Sequence, residues 1–218
     1  MGIFPRIRLR SLAGIPLVLA CLLGPAAVAR ADDGALGFVR SQHEQLKALL
    51  RQAPSPDRDN QIGNALGQMV DYGAVTQRAF GEPCATELPG CTDHWASLTD
   101  AQKGEISGLL RRLVEKNYRK NLSKTLDFDV AYDGASPAGS DTSVHTEAKS
   151  KSKPRDPPVL VDYLVHGVSG SYRVIDVVTE GSSLTKTYYD QFHRMLQNPD
   201  QGYAYIVRKL NEKISQPD

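Results

Sequence analysis

The chain is short of the residues that most often carry chemistry. Its 218 residues include three cysteines, three methionines, one tryptophan and five histidines. The histidines, His43, His94, His145, His166 and His193, stand at no metal-ligand spacing, and there is no H-E-x-x-H. The sequence therefore points to no metal and no cofactor. A nucleophile elbow needs a glycine two residues after its serine, and "EGSSL" (180–184) and "GVSGS" (167–171) both lack it. A phosphate cradle wants several glycines and a lysine at a helix start, and Gly181 stands alone. Charge of one sign is missing too. The formal net charge is +1, and residues 32–218 carry 22 basic against 25 acidic side chains, a net of about −3. Nucleic acid is not the expected partner, because phosphate contacts need clustered Lys and Arg. No segment beyond the first thirty residues is apolar enough to span a bilayer.

Those first residues read as an export signal over 1–31. Arg6, Arg8 and Arg10 precede the apolar "LAGIPLVLACLLGPAAVA", and Ala29-Arg30-Ala31 offers a small-x-small cleavage site before Asp32. An uncleaved anchor and a lipidated Cys21 are the competing readings. The expected mature chain is one domain over 32–218, a monomer. Its two cysteines, Cys84 and Cys91 in "CATELPGC", are expected to form a disulfide in an oxidising compartment, with Pro89-Gly90 turning the chain back. Metal binding is the weaker alternative, since only His94 lies near them.

Apolar spacing predicts helices first. Leu36, Val39, His43, Leu46 and Leu50 share one face over about 35–52. Asp57 is placed to cap a second helix bearing Ile62, Leu66 and Met69, and Asp71 a short third one toward Phe80. Thr99 and Gln102 form a capping box for a long helix with Ile106, Leu109, Leu110, Leu113, Val114, Tyr118 and Leu122. Lys116, Arg119, Lys120 and Lys124 suit the dipole at its end. The period then changes to two. "LDFDVAYD" is a strand, "GASPAGSD" a loop, and "TSVHTEAKSKSK" a second strand. "PPVLVDYLVHGVSGSYRVIDVVTE" gives two more, turning at Ser169-Gly170. Helices bearing Leu184, Tyr188, Phe192 and Leu196, then Tyr203, Ile206, Val207, Leu210 and Ile214, close the chain. The expected fold is α+β: an antiparallel four-stranded sheet covered by helices from both ends of the chain. Small Thr146 and Ala148 on the inward face would leave a cavity between layers. No internal repeat is present.

Two acids test an enzymatic reading. Asp176 sits in an apolar strand and Glu180 at its end, a pairing that suits a general acid and base on a cavity-fold hydrolase. The plainer reading makes Asp176 an acceptor of structural hydrogen bonds, and Ser182 and Ser183 helix caps. A ligand-free envelope scaffold is the remaining alternative.

The stretch "VDYLVHGVSGSYRVIDVVTEGSSLTKTYYDQFHRML" resembles the MlaC (toluene-tolerance) family. The matching residues are Val161, Asp162 and Tyr163, then Gly170, Tyr172, Val174, Asp176 and Val177. Glu180, Gly181, Ser183 and Leu184 follow in the turn, and Tyr188, Gln191 and Phe192 in the helix. "VDYGAVTQRAFG", "HWASLTDAQKGEISGLLRRLVEKNYRKNL" and "GYAYIVRKLNEK" are similar to further family segments, so the resemblance covers most of 36–214. Leu164 departs from a family arginine, Ser182 from a small apolar residue, and the cysteine loop looks like an insertion.

The resemblance implies a periplasmic carrier, not an enzyme. It would hold phospholipid by its acyl chains and shuttle it between an outer-membrane lipoprotein–porin complex and the substrate-binding ring of an inner-membrane ABC transporter. Such traffic maintains outer-membrane lipid asymmetry. The expected walls are Leu110, Leu113 and Tyr118 from the long helix, and Phe128, Val130, Thr146, Ala148, Val161, Tyr163 and Val165 from the strands. Leu184, Tyr188 and Phe192 from the following helix complete them.

Overall fold

The computed structural model of the protein describes residues 33–84, 90–167 and 171–216, with the backbone alone for 120–123. The expected export signal with Cys21, the Pro89 of the cysteine loop, the Ser169-Gly170 turn and the side chains of Lys120 and Leu122 lie outside the described residues.

Side-chain caps set most helix starts. Helix α1 (Asp33–Leu50) buries Ala35, Val39, Leu46 and Leu49. Helix α2 (Pro56–Met69) begins earlier than its Asp57 suggested. The Ser55 hydroxyl accepts the Arg58 N–H at 3.1 Å, and Pro56 takes a first-turn position that needs no N–H. Helix α3 (Tyr72–Ala79) is capped by Asp71, whose carboxylate accepts the Ala74 N–H at 2.9 Å. A 3-10 turn, Trp95–Ser97, precedes α4 (Asp100–Thr125). At its start the Thr99 N–H reaches Gln102 Oε1 at 2.9 Å, and the Gln102 N–H reaches Thr99 Oγ1 at 3.3 Å, a reciprocal box. Lys116 serves a different helix from the one expected. Its ammonium donates to the carbonyls of Lys213 at 3.3 Å, Ile214 at 2.8 Å and Gln216, closing the carboxyl end of α6 (Gly202–Ser215).

The strands are β1 (Phe128–Ala138), β2 (Asp141–Ser150), β3 (Val159–His166), β4 (Arg173–Thr179) and β5 (Ser182–Ser183). They form one antiparallel sheet in the order β1-β2-β3-β4-β5. This corrects the expected four-stranded sheet, since two residues are too few to show a period. The expected loop "GASPAGSD" is also corrected. Strand β1 runs on to Ala138 through a register shift between Tyr132 and Gly134 that hides the alternation.

Between β4 and β5, Glu180 and Gly181 both take positive φ, 48° and 74°. That is the two-residue hairpin turn whose twist suits antiparallel strands, and glycine fills its second place without strain. Glu180 is held there by its own β3 contacts: its N–H donates to Leu160 O at 3.0 Å, and its carboxylate accepts the Leu160 N–H at 2.6 Å. Helix α5 (Leu184–Gln197) follows at once, capped by the Ser183 hydroxyl on the Lys186 N–H at 3.0 Å.

Two interiors result. The first packs α1 and α2 on the inner sheet face around Val39, Leu46, Ile62, Leu66, Val144, Val165 and Val174. The second lies among α3, α4, α5 and α6 around Phe80, Trp95, Ile106, Leu110, Leu113, Phe192 and Ile206. Cys84 and Cys91 are joined by a disulfide. The Phe80 carbonyl, at the end of α3, accepts the His94 N–H at 2.9 Å, which brings the segment after Cys91 back to that helix. There Gly81 (φ 85°) meets the Thr92 carbonyl so closely that no Cβ would fit.

Candidate ligand cavity

A cavity of about 520 Å³ opens on the first interior. Its floor is the inner sheet face. Register pairs Val130 with Ala148 and Ala148 with Val159, then Thr146 with Val161, so these side chains line up in rows across three strands. Alternation puts them on one face. The methyl of Ala148 and the short Thr146 leave space that larger groups would fill. The Thr146 hydroxyl is tied to Val161 O at 2.7 Å, so that row presents an apolar surface. Helix α1 forms one wall with His43, Leu46, Lys47 and Leu50, and the last turns of α4 form another with Tyr118, Lys124 and Thr125. Phe128, Tyr163 and Thr179 complete the lining.

Polar groups in this cavity are few and perturbed. His43 Nδ1 lies 2.9 Å from the Tyr132 hydroxyl, and its ring meets Tyr163 edge-on with centroids 5.0 Å apart. Burial pushes its pKa down from 6.5 to about 4, Lys47 adds to the fall and Glu44 opposes it. The imidazole is therefore neutral at ordinary pH. Burial likewise pushes the phenols of Tyr118 and Tyr163 well above their usual range. Lys47 is paired with Glu44 at 3.1 Å on the rim.

Of the residues expected from the sequence, Tyr118, Phe128, Val130, Thr146, Ala148, Val161 and Tyr163 are brought together here. The others are placed elsewhere. Val165, 1% exposed, is packed against Val144 and Val174 beyond the cavity. Leu110, Leu113, Leu184, Tyr188 and Phe192 belong to the second interior, so these are corrected from wall to helical core. Sequence reading missed the α1 wall, though His43 within an apolar stripe was its visible sign. It also missed Val159, Thr179, Lys124 and Thr125.

A second, smaller cavity of about 240 Å³ lies beside α5, lined by Arg78, Leu164, Asp176, Ser183, Lys186 and Tyr189 among others. It contains the acid weighed for catalysis. The Asp176 carboxylate accepts the Ser183 hydroxyl at 2.6 Å and the N–H groups of Val177 at 2.8 Å and Thr185 at 3.0 Å. It thus anchors the start of α5 to β4. Ser183, which also caps that helix, has the same structural task.

An antiparallel sheet with a helix-walled apolar cavity on its inner face defines an α+β cavity domain. The family model described as MlaC protein matches residues 41–212, and the chain belongs to that family. Among solved structures, it is similar to a phospholipid-binding protein from Ralstonia solanacearum in complex with a phospholipid. That match has a TM-score of 0.67 and 22% identity and covers 84% of this chain and 97% of that one. No curated protein matches the chain. Among the described residues no helix is long and apolar enough to cross a membrane, and no group of His, Cys, Asp and Glu forms a metal site.

Proposed function

We propose that this chain is a periplasmic phospholipid carrier that holds acyl chains in the cavity between α1, α4 and the sheet. The observation that carries this reading is the apolar lining of that cavity in a chain of the MlaC family. Its volume falls in the range of about 300–1,000 Å³ usual for small-molecule sites. Each methylene moved out of water contributes about 0.8 kcal/mol, so a dozen contribute roughly 10 kcal/mol before ordering costs. Release into water is then slow, and delivery calls for a partner that offers another apolar path. The inner-membrane substrate-binding ring and the outer-membrane lipoprotein–porin complex are the partners in this reading. The carrier does no chemistry on its cargo.

The test is solvent extraction of the purified protein followed by mass spectrometry, paired with uptake of labelled phospholipid from vesicles. Stoichiometric phospholipid is the expected result. A protein that neither copurifies with phospholipid nor takes it up refutes the reading.

A further inference from the structure

Much of the cavity lining is apolar, with Leu46, Leu50, Phe128, Val130, Ala148 and Val161, and His43, Lys47, Lys124 and three threonines line it too. Two tyrosines add phenol groups. Tyr118 comes from α4 and Tyr163 from β3, and both line the cavity. Neither hydroxyl has a protein hydrogen-bond partner among the described residues. Two other tyrosines set the comparison. The Tyr132 hydroxyl is paired with His43 Nδ1 at 2.9 Å. That of Tyr72 is also unpartnered but is fully enclosed by protein. The hydroxyls of Tyr118 and Tyr163 are not enclosed in that way, and both residues line the cavity. Each phenol keeps an O–H donor available to a ligand that enters the cavity, which phenylalanine in its place would lack.

A diacyl phospholipid brings strong acceptors into apolar space along with its tails, namely the two ester carbonyl oxygens where the tails join the glycerol. An alkyl ether has no carbonyl, and its oxygen is a weaker and more shielded acceptor. We infer that Tyr118 and Tyr163 donate their O–H groups to the ester carbonyls of the cargo, so that the cavity selects diacyl over dialkyl phospholipid. This inference rests on the carrier reading. It adds the linkage that is recognised and the two residues that recognise it.

The experiment compares uptake from vesicles of diacyl phosphatidylethanolamine with uptake from vesicles of its dialkyl analogue of equal chain length. Delipidated wild type, Tyr118→Phe, Tyr163→Phe and the double variant are tested in parallel. Wild type is expected to prefer the diacyl lipid, by roughly fivefold for each hydrogen bond. Each single variant loses part of that preference and the double variant all of it, through weaker diacyl uptake. Cargo-free variants are expected to melt at or above the wild-type temperature, because each change deletes a donor that lacks a protein partner. This control separates recognition from misfolding. Equal uptake of the two lipids by wild type overturns the inference and leaves the carrier reading standing, as does a preference that survives in the double variant. Uptake of neither lipid by wild type overturns the carrier reading and this inference with it.

Discussion

Leu110 and Tyr163 lie in different interiors of one chain. Leu110 is 1% exposed and packed on all sides by apolar groups of α3, α5 and α6. Tyr163 lines the cavity between α1, α4 and the sheet, with its ring against His43. The helical interior is close-packed, and every methylene lost there is felt. The sheet-facing interior keeps open volume. In the proposed carrier, stability and cargo space are thus handled in separate compartments, and substitutions should divide along that line.

The largest effect on stability is expected from Leu110→Ala, about 2–5 kcal/mol by denaturant unfolding, with cargo per folded molecule unchanged. Loss of bound lipid from the folded fraction would break the division between compartments. Next comes acid. Unfolded His43 takes up its proton near pH 6.5, and folded His43 only near 4. The unfolded state therefore binds more protons in that window. Stability is full above about pH 6.5 and falls by about 2–3 kcal/mol as pH drops to 4. Urea melts across that range should show a shallower fall in His43→Gln. The Ser183→Ala change removes the cap of α5 and a donor to Asp176. It is expected to cost about 1–2 kcal/mol, read from the melting temperature. The smallest stability change, below about 1 kcal/mol, is expected for Ala148→Phe, because its new ring enters open volume where overpacking is avoided. Vesicle uptake by that variant should nonetheless fall sharply, which sharpens the contrast with Leu110→Ala.

Much of this arrangement was legible in the sequence, and the misses have physical causes. Alternation along β2 and β3 marked Thr146, Ala148, Val161 and Tyr163 as one face, and that face is the cavity floor. Alternation gives the face but not the depth, so Val165 was assigned to the same wall although it is packed between neighbouring strands. Helix α4 shows the same limit on a larger scale. Its 26 residues span about 39 Å, enough to serve two interiors with one apolar stripe. Leu110 and Leu113 fall in the helical core, and Tyr118, two turns on, reaches the cavity. The α1 wall had one local sign, His43 in an apolar stripe, but nothing else in an amphipathic helix states which distant surface it will cover. The capping residues were the most readable of all, since Asp71, Thr99 and Ser183 act within three residues of themselves.

Trp95 is the single tryptophan of the chain. Its ring lies 6.3 Å from that of Phe80 by centroid, beneath the ammonium of Lys103 and inside the helical core. As an optical reporter it belongs to the helical interior, apart from the cavity proposed for cargo. Its emission should follow melting of the helices and stay silent while the cavity fills. The chromophores positioned to register loading are Tyr118 and Tyr163, so a titration watched only at the tryptophan band would record a carrier that binds nothing.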